Sequence, residues 1–418
     1  MTVLHSAPAT ALLLSVLFFG VMLLMNTLAE AAAPLNITAV FKPDPSRPNH
    51  NVFENTTPNT GFCLNYPNFC RNENLFSLRA APTIYATQPI PANHENPRQG
   101  VMLKAPAEWR DVNVTHSATG RQETVRIRIN GLGASLVTDP VVDLVGGNVS
   151  ISEAHALLFG TNLSYAPSPC KGLGPSWSFN KVAFDFFWAF PTSSECAKQA
   201  KFTIPTSRLN YIEISYQLIT PNPLNMSAGQ YTGTITYTMG PHQDIDMGDN
   251  FLPSDTALTI QFTLSVDHVL KVEIPPGGNN IVLEPKGGWQ LWSVGRRPEK
   301  LVRDQTFLIH ASSRFKMQLA CERIIGDTCG LSNNRQHEVP INVSVSLPNG
   351  LRHANGASVN RQPLLLSGAG TELFEPTQYV DRKPGTLHFE IDKQYVAEML
   401  FQEGTYNGSV TVIWDSEV

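Results

Sequence analysis

One stretch of this chain occurs twice. Residues 229–239 read GQYTGTITYTM and residues 404–414 read GTYNGSVTVIW, both fitting G-x-Y-x-G-x-[Ile/Val]-Thr at an offset of 175 residues. In each copy the large side chains fall at alternate positions: Tyr231, Ile235, Tyr237 and Met239, then Tyr406, Val410, Val412 and Trp414. Period-two alternation rich in β-branched and aromatic residues marks a strand with one buried face. The repeat suggests two domains sharing the same penultimate strand. Two unrelated edge strands with a common turn preference are the alternative.

The sequels differ. After Met239 comes a polar loop, GPHQDIDMGDNFLPSD, and then ALTIQFTLSV (257–266), with Leu258, Ile260, Phe262 and Leu264 on one face. After Trp414 only Asp415, Ser416, Glu417 and Val418 remain. The first copy belongs to a domain that owns a closing strand. The second belongs to a domain one strand short.

Composition supports an all-β reading. The 418 residues are 42% hydrophobic and 16% charged, with 31 prolines and 29 glycines, and helical periodicity is scarce. The net charge of −5 gives no bulk basicity for nucleic acid or an anionic membrane. Ala11 to Met25 is an apolar run of 15 residues followed by NTLAEAAAP. It is short for a membrane span and suits a secretory signal core, with cleavage expected after Ala31. The segment departs from the usual pattern in having no Lys or Arg before the run, and an uncleaved anchor is the alternative. Export into an oxidising compartment agrees with six cysteines in three close pairs, Cys63 with Cys70, Cys170 with Cys196 and Cys321 with Cys329. Sequence leaves connectivity open, and local pairing is the simplest. No C-x-x-C occurs, which argues against zinc.

The domain boundary falls where ALTIQFTLSV passes through Asp267-His268 into VLKVEIPP (269–276), the expected opening strand of the second domain. The expected organisation is a signal peptide (1–31), an N-terminal β-sandwich (34–266) and a C-terminal one (267–418). TVRIRING (124–131), KFTIP (201–205) and YIEISYQLI (211–219) read as strands of the first. FLIHASSRFKMQLAC (307–321), INVSVSL (341–347) and TLHFEI (386–391) read as strands of the second. Intervals 240–256 and 351–378 read as loops. Short strands between Gly, Pro and Asn turns suggest tandem immunoglobulin-like β-sandwiches, the C-terminal one incomplete.

An unfinished sandwich exposes backbone donors and acceptors beside an apolar groove, an aggregation hazard until something fills it. A strand from another chain satisfies the ladder and buries alternate side chains. The signal segment, paired cysteines and a C-terminal domain ending in G-x-Y-x-G-x-V-T-V resemble subunits of chaperone–usher fimbriae. ALTIQFTLSVDHVLKVEIPP is similar to the opening of pilins of the alternate, colonisation-factor-like class, where such a leader is donated to the next subunit. Here a further domain precedes the leader, so it would complete that domain in cis. The arrangement resembles a two-domain tip adhesin, specifically over 257–418 and loosely over 34–256.

The resemblance implies a periplasmic fimbrial chaperone, an outer-membrane usher, a major pilin subunit as strand donor, and a host or surface receptor. It implies export through the periplasm to the fimbrial tip at the cell surface. It makes Val418 the carboxylate end gripped by the chaperone, and places Tyr406, Val410, Val412 and Trp414 along the groove. Residues 34–40 (PLNITAV) are too short for a free donor arm plus a strand, so LNITAVF is expected to open the first domain. A subunit with no arm to give caps a fibre; a spare arm would make it an internal or initiator minor pilin.

Carbohydrate recognition favours aromatic planes beside polar groups on loops. The candidates are Trp109 and Arg110 in KAPAEWRDVN, with Trp177 and Lys171 inside the Cys170–Cys196 interval. Arg126 and Arg128 read as the polar face of a strand. Trp188, in KVAFDFFWAF, reads as core. No H-E-x-x-H, G-x-S-x-G, P-loop or dinucleotide fingerprint occurs, so no enzyme and no cofactor are expected. His242, Asp244, Asp246 and Asp249 cluster without EF-hand spacing and read as a solvated loop, not a metal site. Eight N-x-[Ser/Thr] triplets, at Asn36, Asn55, Asn113, Asn148, Asn162, Asn225, Asn342 and Asn407, leave a eukaryotic secreted glycoprotein as the alternative. Asn407, on a strand that must pair, weighs toward the bacterial reading.

Overall fold

A computed structural model describes residues 33–173, 178–293, 295 and 297–416. The expected signal segment, Trp177 and Val418 lie outside the described residues. Seven long strands organise the first half: β1 (Leu35–Phe41), β2 (Arg110–His116), β3 (Gln122–Thr138), β4 (Ala183–Ala189), β5 (Ser207–Ile219), β6 (Gly229–Thr238) and β7 (Ala257–Val266). Their order in the sheet is β5-β3-β2-β6-β7-β1, with β4 also paired to β3. Helix α1 (Ile151–Phe159) packs on this half; the Ser150 hydroxyl accepts from the Glu153 amide, and Gly160 ends the helix in left-handed backbone.

The second half contains β8 (Leu270–Glu273), β9 (Leu301–Ala311), β10 (Phe315–Cys321), β11 (Thr328–Ser332), β12 (Glu338–Ser346), β13 (Val380–Ile391), helix α2 (Lys393–Gln402) and β14 (Val410–Ser416). One sheet runs β8-β9-β13-β12-β11. The other joins β14 to β10, with the short strands Phe374–Pro376 and Leu351–His353 beyond β10. The Cys321–Cys329 disulfide ties β10 to β11, one strand from each sheet; Cys63–Cys70 and Cys170–Cys196 are also bonded. The protein is all-β, and its described residues form two large hydrophobic cores that share no residue, with a small third cluster around Phe62, Cys63, Cys70, Leu75 and Phe187. The larger spans Ile37 to Val266 and the smaller Phe307 to Val396.

Several elements differ from the sequence reading. KFTIP forms no strand; Ile204 makes only an isolated bridge to Ile90. FLIHASSRFKMQLAC breaks into two strands at Ser312 and Ser313, both buried. The supposed loops contain the short strands Phe251–Pro253, Leu351–His353, Gln362–Leu364 and Phe374–Pro376. The final strand starts at Val410, six residues after Gly404. Asn407 precedes it and exchanges two backbone hydrogen bonds with Ser332.

The repeated motif has a physical cause. Gly229 and Gly404 both sit at positive φ, 133° and 101°. A Cβ on Gly233 would lie 2.5 Å from the Asn113 carbonyl oxygen, and one on Gly408 would lie 2.7 Å from that of Gly330. Each tyrosine between them stands against a histidine, Tyr231 on His116 and Tyr406 on His337. The two copies therefore share backbone and packing requirements, not only letters.

Candidate functional site

Strand β7 shows what a completed edge looks like. It runs antiparallel to β6 over ten positions, Gly229 opposite Val266 through Thr238 opposite Ala257. Its other flank runs parallel to β1, Leu35 opposite Ile260 through Phe41 opposite Val266. Leu258, Ile260, Phe262, Leu264 and Val266 are all at most 4% exposed. Under this strand Tyr231 and Tyr237 are completely buried.

Strand β14 has no such neighbour. It pairs with β10 from Val410 opposite Cys321 to Ser416 opposite Phe315, and with no other strand among the described residues. Its free flank carries the unsatisfied half of a ladder. Val410, Val412 and Trp414 pack against the smaller core yet remain half-exposed, as does Tyr406. The Tyr406 hydroxyl is held by His337 Nδ1 at 2.8 Å and by Asn333 Nδ2 at 3.3 Å. Burial raises its pKa.

The segment that follows β8 lies beside the residues that lead into β14. Asn279 to Leu283 form one wall of a cleft of about 670 Å³, and residues 404–410 form the other. Ile281 and Leu283 contact the core half-exposed, without forming a ladder. The floor is Leu331, Ile341, Phe389 and Ile391, all buried. Beyond Tyr406 the cleft continues into a second one, between α2 and the exposed pair Trp289 and Trp292, whose rings are 5.3 Å apart. Sequence reasoning missed this pair and the floor; only the density of aromatics in GGWQLW hinted at the former.

Of the expected receptor residues that are described, Trp109, Arg110 and Lys171, only Trp109 lines the cleft of about 440 Å³ in the first half, where it is half-buried. Arg110 points to the opposite side of β2, donates to both Asp244 carboxylate oxygens and lies over the Tyr237 ring. That pairing raises the Arg110 pKa and lowers that of Asp244, the side-chain hydrogen bond being the main cause. Lys171 is exposed and pairs through its backbone with Ala189. Trp188 is core, its Nε1 donating to the Leu163 carbonyl at 2.6 Å.

The acidic loop is not simply solvated. Asp246 is fully buried and takes two hydrogen bonds from the Arg98 guanidinium, which also reaches Glu195 and Asp249. The loop is stitched to the first core by charge pairing. No cluster of three metal-ligating side chains, and no helix long and apolar enough to cross a membrane, occurs among the described residues.

No family model and no curated protein matches the chain. Among solved structures it is similar to tip adhesins of chaperone–usher fimbriae. One, from work on a chaperone–tip adhesin complex of CFA/I fimbriae, is 11% identical, with 93% of this chain and 98% of that one covered at a TM-score of 0.22. The enterotoxigenic E. coli CFA/I adhesin CfaE, in a mutant form, is 10% identical, with coverages of 93% and 94% and a TM-score of 0.25. The CsuC–CsuE chaperone–tip subunit pre-assembly complex of the archaic Csu pili of Acinetobacter baumannii is 8% identical, with coverages of 92% and 99% and a TM-score of 0.21.

Proposed function

We propose that this protein is a fimbrial tip adhesin. Residues 34–266 form its receptor-binding domain, and residues 267–418 form a pilin-like domain that accepts a donor strand along the free flank of β14. The observation that supports this is internal to the molecule. The same motif carries β7 on its flank in the first half and, among the described residues, no strand there in the second. A donor lying antiparallel to β14 and alongside residues 279–283 would reproduce the arrangement of β6, β7 and β1.

Each bulky apolar anchor newly buried would contribute on the order of 1.5–3 kcal/mol. Four or five anchors rival the ~5–15 kcal/mol that holds a whole domain. The second domain therefore depends on its partner. During export that partner is a periplasmic chaperone, which lays a strand along β14 and grips the Val418 carboxylate. At the outer-membrane usher the chaperone strand is exchanged for the arm of a pilin subunit.

The test is thermal denaturation of the exported chain with a synthetic peptide that carries the β7 alternation. The transition of the second half should rise with peptide concentration, by about 2.7 kcal/mol of stability at a hundredfold excess over Kd. High stability of the isolated chain with no response to any such peptide would refute strand acceptance.

A further inference from the structure

The cleft beside Trp109 is built from chain segments far apart in sequence. Its lining residues include the aromatic Phe53, Phe76 and Trp109 and the amide-bearing Asn55, Asn74 and Gln217. The Tyr216 phenol, 1% exposed, also lines it, its hydroxyl accepting from Asn55 Nδ2 at 3.0 Å. No carboxylate, ammonium, guanidinium or imidazole is among the described lining residues. By contrast, the cleft beside β9 in the second half presents Lys286, Lys300, Arg303 and Arg361 with Glu284 and Asp304.

The two arginines that lie over the Trp109 ring are not among the lining residues, and each has a partner. The Arg128 guanidinium lies 4.9 Å from the Trp109 ring centroid while its Nε donates to Gln217 Oε1 at 2.7 Å. Arg126 lies 5.7 Å from the same ring and pairs with Asp111 at 3.2 Å. One arginine thus fixes both an aromatic plane and an amide of the lining.

We propose that this cleft binds a neutral saccharide of one or two rings. This deepens the adhesin reading above and rests on it. A sugar ring offers apolar C–H faces and a rim of hydroxyls that both donate and accept. Aromatic planes suit the faces, and side-chain amides, which also donate and accept, suit the rim. An anionic sugar would lose water from its carboxylate or phosphate and meet no counter-charge in the lining, which disfavours it. The volume of about 440 Å³ falls within the ~300–1,000 Å³ usual for small-molecule sites.

The experiment is titration of the full exported chain with lactose and maltose as neutral probes and 3′-sialyllactose as the anionic one, followed by saturation-transfer NMR and calorimetry. At least one neutral probe should bind saturably, and the sialylated probe should bind no better. Trp109→Ala should weaken binding tenfold or more, and so should Gln217→Ala, whose exposed position leaves folding intact. The proposal is overturned if no neutral probe binds, if binding requires the sialyl group, or if both substitutions leave affinity unchanged. The peptide-induced rise in melting temperature reads the other half of the molecule. Failure of the saccharide site is therefore distinguishable from failure of the adhesin reading.

Discussion

Trp414 stands edge-on to Phe307, their ring centroids 4.9 Å apart at an interplanar angle of 64°. Phe307 is fully buried in β9, so this pair fastens the final strand to the opposite sheet. Trp414 also contacts Phe315, at 5.9 Å. Trp414→Ala should lower the stability of the second half by about 2–3 kcal/mol, below the range for a fully buried tryptophan because the ring is half-exposed. Scanning calorimetry should show the transition of the first half unmoved.

Removal of β7 tests the completed edge. A fragment ending at residue 266 should fold, whereas one ending at 256 should not. Five buried side chains from Leu258 to Val266 would be lost, along with both ladders. At about 1.5–3 kcal/mol each, the apolar loss alone reaches the size of a domain's stability. Far-ultraviolet circular dichroism and proteolysis distinguish the two fragments; equal stability would remove β7 from the core of the first half.

The motif glycines make a matched pair of predictions. Gly233→Ala and Gly408→Ala each push a methyl group against a neighbouring backbone carbonyl, which cannot swing aside as a side chain would. Each should cost about 1–3 kcal/mol, measured by urea unfolding. Gly408→Ala should also reduce the response to donor peptide, because it displaces residues at the wall of the cleft.

Acid should weaken the first half through His155. Burial lowers its pKa from the ordinary 6.5, although the 2.8 Å hydrogen bond between Nε2 and the Asn180 carbonyl acts in the opposite direction. Below pH ~6.5 the unfolded chain then binds more protons at this group than the folded one, so stability falls as pH falls. His155→Gln should flatten the change in urea midpoint between about pH 7 and pH 5. An unchanged slope would place the titration elsewhere.

What could be read from sequence was what depends on local period. Leu258, Ile260, Phe262 and Leu264 alternate in ALTIQFTLSV, and the structure buries all four. The start of β14 was misjudged because Tyr406 and Gly408 keep the alternation while Asn407 diverts the backbone to Ser332. Helix α1 was missed despite a cap signal, Ser150 three residues before Glu153 with Gly160 at the end, because its nine residues are too few for a clear period. The Arg98 hub was invisible for a different reason. Its partners Glu195, Asp246 and Asp249 lie 97 to 151 residues away, and only the fold brings them together. The Trp109 cleft has the same character: Trp109 stands out in KAPAEWRDVN, whereas Phe53, Asn55, Phe76 and Gln217 join it only through the fold.

Strand β7 is joined to β8 by only three residues, Asp267, His268 and Val269. The Asp267 amide bonds the Phe41 carbonyl, and His268 Nε2 lies 2.9 Å from the Met226 carbonyl oxygen. A pull on the second half therefore arrives along the axis of β7. It would drag that strand lengthwise between β6 and β1, straining both ladders in shear at once, whereas a force across the strand would peel their bonds one by one. The segment that completes one half is also the tether to the other, which sets the molecule up to resist tension.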